Sequence, residues 1–147
     1  MLRSVDLKDY MLTNPISING NASLFDAVHL ILFNKVSGLC VVDSDGVLVG
    51  ILSELDCLKG ILASTYNQSG VGQVAEYMTP GDLDVAHSDD NIVKVAMDML
   101  DKGRRRRPVV DEDNKLVGQI TCRQILRAVK DFTLPNDPTE NSSDTDS

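Results

Sequence analysis

One segment of this chain occurs twice, and this repeat constrains the fold more than any other feature of the sequence. Residues 41–53 read VVDSDGVLVGILS and residues 109–121 read VVDEDNKLVGQIT, and they align without a gap with seven of thirteen positions identical. A Tyr-Met pair also recurs, at residues 10–11 and 77–78. A repeat of this size predicts two copies of one supersecondary unit, each too small to bury a core alone.

Each copy shows the same predicted order of elements. A short β-prone piece comes first, and a helix follows in which apolar residues recur at helical spacing. Two strands come next, joined by a turn in which Gly46 or Asn114 tolerates a positive φ. In the first copy the predicted strands are 16–18, 39–43 and 47–52, and the second helix starts at Ser53. In the second copy they are 83–85, 108–111 and 115–120, and the second helix starts at Thr121. The first helix of each copy has four apolar residues on one face, which are Leu24, Ala27, Val28 and Ile31 or Ile92, Val95, Ala96 and Met99.

The sequence therefore predicts an α/β fold of two tandem β-α-β-β-α repeats, packed sheet to sheet with pseudo-two-fold symmetry. We place the first repeat at 1–66 and the second at 67–132, and we expect a helix over 71–78 to begin the second. Residues 133–147 have the composition of an acidic, disordered tail. Gly50 and Gly118 lie inside strands, where we expect them to allow close packing.

Composition excludes several classes of protein. The formal net charge is −8, and residues 131–147 carry five acids without Lys or Arg, which disfavours non-specific binding to nucleic acid. Three cysteines without a CxxC pair and two histidines predict neither a disulfide framework nor a metal site. No apolar run is long enough to cross a bilayer. These features predict a cytoplasmic protein without a membrane segment.

At the repeated residues the chain resembles the cystathionine-β-synthase (CBS) domain pair, also called a Bateman module. The second copy has the family's Pro-Val-Val-Asp strand intact at 108–111, whereas the first copy has Cys40 in place of the proline. The openings of the first copy, 15–18 and Ser23-Leu24, match the family pattern loosely. The first copy also carries the family's Ser/Thr-x-x-Asp pattern at residues 53–56, where its second helix starts, and the second copy has Gln124 in place of the Asp.

The resemblance implies a regulatory module rather than an enzyme. Such pairs bind adenosine-containing ligands such as AMP, ADP, ATP, NAD or S-adenosylmethionine in clefts between the two repeats. They often form homodimers, and they commonly regulate an enzyme or transporter on the same or another chain. We predict that this chain binds an adenine nucleotide of the AMP, ADP or ATP class, with or without Mg²⁺, and has no catalytic cofactor or catalytic residues.

The predicted ligand-binding residues of the first repeat centre on the start of its second helix. Ser53 and Asp56 match the family's nucleotide positions, where a hydroxyl lies near phosphate and a carboxylate accepts ribose hydroxyls. The same spacing also suits a helix cap that needs no ligand, so both interpretations stay open. The resemblance adds Ser17 and Ser37 to this set.

In the second repeat the equivalent pair is Thr121 and Gln124, in which a neutral amide replaces the family's carboxylate. Thr-x-x-Gln again fits a capping box. The basic run 104–107 follows Gly103. It suits a helix C-terminus, and the resemblance places Arg105 and Arg106 where such pairs contact phosphates. One repeat thus offers an acid without arginines and the other arginines without an acid, which predicts two unequal sites.

Two further hypotheses stand beside the sensor. A ligand-free module for dimerisation and protein docking would need only the shape of the fold. An enzyme would need a catalytic set, and the sequence contains neither a Ser-His-Asp arrangement nor a phosphate-binding glycine loop.

Overall fold

The computed structural model describes residues 4–68, 70–80 and 83–133. This part of the chain contains two sheets and five α-helices. A 3₁₀ helix at Leu7–Asp9 precedes them. In chain order the elements are β1 (Leu12–Thr13), β2 (Ser17–Asn19), α1 (Leu24–Asn34), β3 (Gly38–Val42), β4 (Leu48–Ser53), α2 (Glu54–Tyr66), α3 (Val74–Tyr77), β5 (Thr79–Pro80), α4 (Ile92–Lys102), β6 (Arg106–Val110), β7 (Leu116–Thr121) and α5 (Cys122–Thr133).

The chain divides into two compact units. The first-repeat unit comprises the described residues between 16 and 83 together with 113–116. Its sheet has the order β2-β3-β4-β5, with β2 parallel to β3 and the other pairs antiparallel. Helices α1 and α2 pack with this sheet around an aliphatic core. The core residues are Ile18, Leu24, Ala27, Ile31, Leu39, Val41, Leu52, Cys57 and Val74.

The second-repeat unit comprises the described residues within 4–15, 84–112 and 117–133. Its sheet has the order β1-β7-β6, and β1 lies antiparallel to β7. The core again consists of aliphatic side chains, as the low aromatic content of the sequence requires. The core residues are Leu7, Ala86, Ile92, Val95, Met99, Val109 and Ile120.

In each unit, a short segment from the beginning of one sequence repeat packs on the other repeat. We call it the leading segment of the repeat it begins. The Leu7 amide donates to the Asp90 carbonyl at 2.9 Å in the second-repeat unit, and the Val74 amide donates to the Ala22 carbonyl at 2.9 Å in the first-repeat unit. Leu7 and Val74 are both fully buried. The recurring Tyr-Met pairs belong to these segments, so each pair packs on the core of the other sequence repeat.

The predicted order of elements is confirmed within a residue or two at most boundaries. The second helices begin at Glu54 and Cys122, one residue after the predicted starts. Gly46 and Asn114 adopt φ values of 84° and 62°, as their place in the turns predicted. The mixed α/β fold with two repeats is confirmed. The tail beyond residue 133 lies outside the described residues, and the repeat boundaries at 66 and 132 stay a prediction.

The strand predicted at 83–85 is wrong. The second copy forms only an isolated parallel bridge at this point, between Ala86 and Val109. In the first copy, β2 pairs with β3 over three residues, beginning with Ser17 opposite Cys40. Pro108 occupies the position of Cys40 and has no N–H to donate, so the parallel ladder of the second copy is limited to the bonds around Ala86.

The helix predicted over 71–78 is shorter than expected, since α3 covers only Val74–Tyr77. The residues before it are extended: Gln73 forms an antiparallel bridge with Ser23, and the Gly72 carbonyl accepts from the Leu24 amide at 3.0 Å. Their hydrogen bonds go to the start of α1 rather than to a helical turn.

Candidate ligand-binding site

The eight predicted ligand-binding residues fall into two groups of four, one in each compact unit. Within a unit, the members of a group lie around the point where a central strand begins and the second helix starts. Three positions of each group are equivalent in the ungapped alignment of the repeats, with Ser37 matching Arg105, Ser53 matching Thr121 and Asp56 matching Gln124. The groups are Ser17, Ser37, Ser53 and Asp56, and then Arg105, Arg106, Thr121 and Gln124.

The start of α2 is a complete capping box. The Asp56 amide donates to Ser53 Oγ at 3.1 Å, and the Ser53 amide donates to Asp56 Oδ2 at 2.9 Å. The capping interpretation of this pair is therefore correct. The box uses one carboxylate oxygen of Asp56, and a carboxylate can accept further hydrogen bonds. Asp56 is half-buried, so the cap and an acceptor role toward a ligand hydroxyl are compatible.

The start of α5 repeats this geometry with different chemistry. The backbone N–H of Gln124 donates to Thr121 Oγ1 at 3.1 Å, and the backbone N–H of Thr121 donates to the side-chain Oε1 of Gln124 at 2.9 Å. Because Oε1 is the acceptor in this box, the remaining polar atom of Gln124 is the donor Nε2. The first repeat thus presents an acceptor where the second presents a donor.

Two serines border the start of α2. The carbonyl of Ser37 accepts from the Glu54 amide at 3.0 Å, which ties the residue before β3 to the first turn of the helix. Ser17 is the first residue of β2 and pairs with Cys40 in the parallel register. Both serines are half-buried.

The basic run borders the start of α5 in the same way. The Arg105 carbonyl accepts from the Cys122 amide at 2.9 Å, matching the bond from Glu54 to Ser37. Arg105 is exposed and Arg106, which begins β6, is half-buried. Donor groups therefore surround this helix start, and guanidinium groups suit phosphate oxygens.

Sequence reasoning missed a set of charged residues beside this run, which we call the ionic corner. Lys102 Nζ lies 2.9 Å from Asp84 Oδ1 and 3.1 Å from Asp98 Oδ2, and Arg107 Nη2 lies 2.8 Å from Asp98 Oδ2. Arg104 Nε lies 3.9 Å from Asp84 Oδ2. The available signal was the repeat itself, because Arg107 falls at the position of the core residue Leu39. The ionic corner comprises Asp84, Asp98, Lys102, Arg104 and Arg107.

Contacts within the ionic corner shift the pKa values of Asp84, Asp98 and Lys102. The hydrogen bond from Lys102 is the main cause that lowers the pKa of both Asp84 and Asp98 below the usual 3.8. The same interactions, first of all the bond to Asp84, raise the pKa of Lys102 above 10.5. These three groups are largely solvated, so the effect on stability is small and is screened by salt.

Stability is expected to decline at the two ends of the pH scale. Carboxyls with a lowered folded pKa contribute stability above their unfolded pKa of 3.8 and lose it as the pH falls further. Lys102 contributes below 10.5 and loses its contribution as the pH rises through its folded pKa. Melting temperature measured against pH should therefore fall less steeply below pH 4 in Lys102→Met than in wild type. Lys94→Met on the same helix is the control, and equal acid slopes in all three proteins would contradict the assignment.

The cysteine at the start of α2 is a packing residue. Cys57 belongs to the first core, and burial, followed by the charges of Asp56 and Glu54, raises its pKa above 9.0. A raised pKa disfavours the reactive thiolate. None of the three cysteines, all within the described residues, forms a disulfide.

Neither a metal-binding cluster nor a membrane-spanning helix is present in the described part of the chain. No group of three or more His, Cys, Asp or Glu side chains there could hold a metal ion. None of its helices has both the length and the hydrophobicity needed to cross a lipid bilayer.

Comparison with known proteins agrees with this geometry. The CBS domain family matches the chain twice, at residues 7–63 and 74–131. The chain therefore belongs to the CBS domain family and carries a tandem pair of these domains.

Solved structures of CBS domain pairs superpose on the chain. One is CBSX2 in complex with AMP, with a TM-score of 0.77 and 30% identity, covering 88% of this chain and 99% of that one. Another is the CBS domain pair of protein MJ0100 in complex with 5-methylthioadenosine and S-adenosyl-L-methionine, with a TM-score of 0.70 and 28% identity, covering 84% and 98%.

The curated relatives are longer than the matched region. An L-aspartate semialdehyde sulfurtransferase from Methanocaldococcus jannaschii is 29% identical over 121 residues, which are 82% of this chain and 22% of the relative. The chloroplastic CBS domain-containing protein CBSX2 from Arabidopsis thaliana is 29% identical, over 76% of this chain and 57% of the relative. The chain thus spans between about a fifth and three fifths of the curated relatives it matches.

Proposed function

We propose that this chain is a regulatory module that binds an adenosine-containing ligand of the AMP, ADP or ATP class and is not itself an enzyme. The observation that carries the proposal is the matched pair of helix starts with complementary chemistry. The start of α2 offers the carboxylate of Asp56 as an acceptor, and the start of α5 lies beside Arg105 and Arg106. Ribose hydroxyls can donate hydrogen bonds to an acceptor of the first kind, and phosphates are attracted to cations of the second kind.

The comparisons support the ligand class. CBS pairs similar in fold to this chain hold AMP in one case and adenosine-based sulfur compounds in another. AMP carries a phosphate, whereas S-adenosyl-L-methionine carries none. Arg105 and Arg106 favour the phosphate-bearing class for this chain, because two adjacent guanidinium groups gain most from an anionic ligand.

Ligand-induced stabilisation tests the proposal. A ligand that binds only the native state increases the free energy of unfolding, by about 2.7 kcal/mol when its concentration is a hundred times Kd. The melting temperature rises as a result. Thermal melting should therefore be measured with AMP, ADP, ATP, NAD and S-adenosylmethionine at millimolar concentration, with and without Mg²⁺. A rise of several degrees with AMP, ADP or ATP, larger than the rise with S-adenosylmethionine, supports the proposal. Unchanged melting with all five compounds would refute it.

A second function, dimerisation and docking without a ligand, is favoured by exposed apolar side chains. Helices α1 and α2 present an outer surface, the α1–α2 face, that includes Phe25, Phe33 and Tyr66 at 58%, 75% and 89% exposure. These three rings alone offer roughly 400 Å². Four leucines on the same two helices are also more than half exposed, and apolar area of this extent is typical of an interaction surface when it is contiguous. The face comprises Phe25, Leu32, Phe33, Leu55, Leu58, Leu62 and Tyr66.

We infer that a second copy of the chain covers the α1–α2 face. A lysine at Leu58, which is 54% exposed, should convert a dimer to a monomer, because its ammonium would lose water at the interface. Light scattering at several concentrations measures this change. Asp45→Lys introduces the same side chain in an exposed turn and should leave the mass unchanged. A wild-type protein that is monomeric at every concentration would overturn the inference.

The regulated partner and the compartment stay predictions. A regulatory module acts on an enzyme or transporter, and we propose that the ligand controls this target by shifting the population of two arrangements of the module. A cytoplasmic location is predicted from the cysteine content and from the lack of a long apolar run in the sequence.

A further inference from the structure

The ionic corner occupies positions that are mostly apolar in the first repeat. Helices α1 and α4, and strands β3 and β6, have matching bounds when the two repeats are aligned without a gap, so the two sets of positions are structurally equivalent. In the first repeat, Leu39 belongs to the core and Leu30 packs against it. Asp84, Asp98, Lys102, Arg104 and Arg107 correspond to Ile16, Leu30, Asn34, Val36 and Leu39.

Arg107 is the buried member of the ionic corner. Its side chain is 5% exposed, and Asp98 Oδ2 lies 2.8 Å from Nη2 in an ion pair without hydrogen-bond geometry. The buried Nε has no hydrogen-bond partner among the described residues. A buried guanidinium with so few partners depends strongly on its counter-ion. The position of Arg107 is therefore conditional on the charge of Asp98, whereas Leu39 needs only apolar neighbours.

The backbone around the start of β6 is held at two points. The Arg105 carbonyl accepts from the Cys122 amide at 2.9 Å, and the Arg107 side chain is anchored to α4 through Asp98. Arg106 lies between these two points. Asp84 faces Arg104 and Asp98 faces Arg107.

We propose that Arg107 is a positioning residue, held by Asp98, that fixes the backbone presenting Arg105 and Arg106 to an anionic ligand. It does not contact the ligand itself. Where it concerns ligand affinity, the proposal rests on the proposed nucleotide-binding function. Its structural part, that the charge of Asp98 fixes the start of β6, is independent of any ligand.

Hydrogen exchange of the Cys122 amide tests the structural part in ligand-free protein, because this amide donates to Arg105. Asp98→Asn removes the charge with little change of shape, and exchange should accelerate roughly tenfold or more. The double variant Asp98→Leu/Arg107→Leu copies the pair Leu30 and Leu39 of the first repeat and should restore slow exchange. Asp101→Asn, on the same helix and outside the ionic corner, is the matched control and should exchange as wild type does.

Nucleotide affinity tests the other part. AMP and ATP binding, measured by calorimetry, should weaken roughly tenfold in Asp98→Asn and recover in the double variant. Lost affinity in a double variant with restored protection would show that Arg107 binds the ligand directly, and would overturn the positioning role. Equal exchange in Asp98→Asn and wild type would overturn the anchoring. If wild type binds no nucleotide, the proposed function fails, and the exchange measurements still decide the structural part.

Discussion

Gly50→Val is expected to destabilise the protein by about 2 kcal/mol, although valine is the better strand former. A Cβ at Gly50 would lie 2.5 Å from Met78 Sδ and 2.9 Å from the Thr79 carbonyl oxygen. The methionine can move, but the carbonyl belongs to β5, which pairs with β4 at this point. Valine therefore fits only if the pairing of the two strands is disturbed.

Gly50→Val has a stabilising and a destabilising contribution to the free energy of unfolding, and the destabilising one is larger. Replacing a glycine inside a strand recovers roughly 0.5–1 kcal/mol of backbone entropy, whereas overpacking costs about 1–3 kcal/mol. The free energy of unfolding from denaturant titration measures the difference. Gly70→Val is the control, because no heavy atom lies within 4 Å of a Cβ built there. If Gly50→Val were as stable as Gly70→Val, the close approach of β5 to β4 would be wrong.

Asp56→Asn is expected to abolish most of the nucleotide-induced rise in melting temperature while leaving the ligand-free melting temperature nearly unchanged. The amide oxygen of asparagine can still accept from the Ser53 amide, so the capping box is kept. The second carboxylate oxygen, however, becomes an NH₂ group, which cannot accept from a ribose hydroxyl. Losing a hydrogen bond to a charged group costs about 1.5–3 kcal/mol, or roughly 10–100-fold in affinity.

Two variants separate the cap from the ligand contact. Asp56→Ala removes both and should lower the ligand-free melting temperature as well, since an N-terminal cap contributes about 1 kcal/mol. Gln124→Asn shortens the equivalent side chain in the second repeat and should disturb the cap of α5 without affecting the acceptor at α2. Asp56→Asn binding nucleotide as tightly as wild type does would restrict Asp56 to capping.

Much of the fold was predictable because the repeat carries local information. Apolar spacing and caps define the helices, and Gly46 and Asn114 mark the turns by tolerating positive φ. The apolar pattern gave a wrong prediction for the strand at 83–85, because pairing there depends on one backbone N–H that a proline lacks. Pro108 replaces Cys40 and limits the parallel ladder of the second copy to Ala86, although the apolar pattern of both copies predicts a strand.

The candidate site was predictable in part. The caps at Ser53 and Thr121 follow from spacing, because a capping box involves residues only three positions apart. Whether such a box also faces a ligand depends on groups distant in sequence, which spacing does not describe. The resemblance to a known family supplied the ligand class.

By itself, the sequence determined the duplication, the order of elements within each copy and the equivalence of the aligned positions in the two copies. These are local properties, set by hydrophobic period and backbone chemistry. Only the tertiary structure decided that each leading segment packs on the core of the other repeat, with Leu7 beside Asp90 and Val74 beside Ala22. It also decided that Arg107 is buried against Asp98. Both depend on which distant surfaces meet, because burial and ion pairing arise from contacts between residues that are far apart in the sequence.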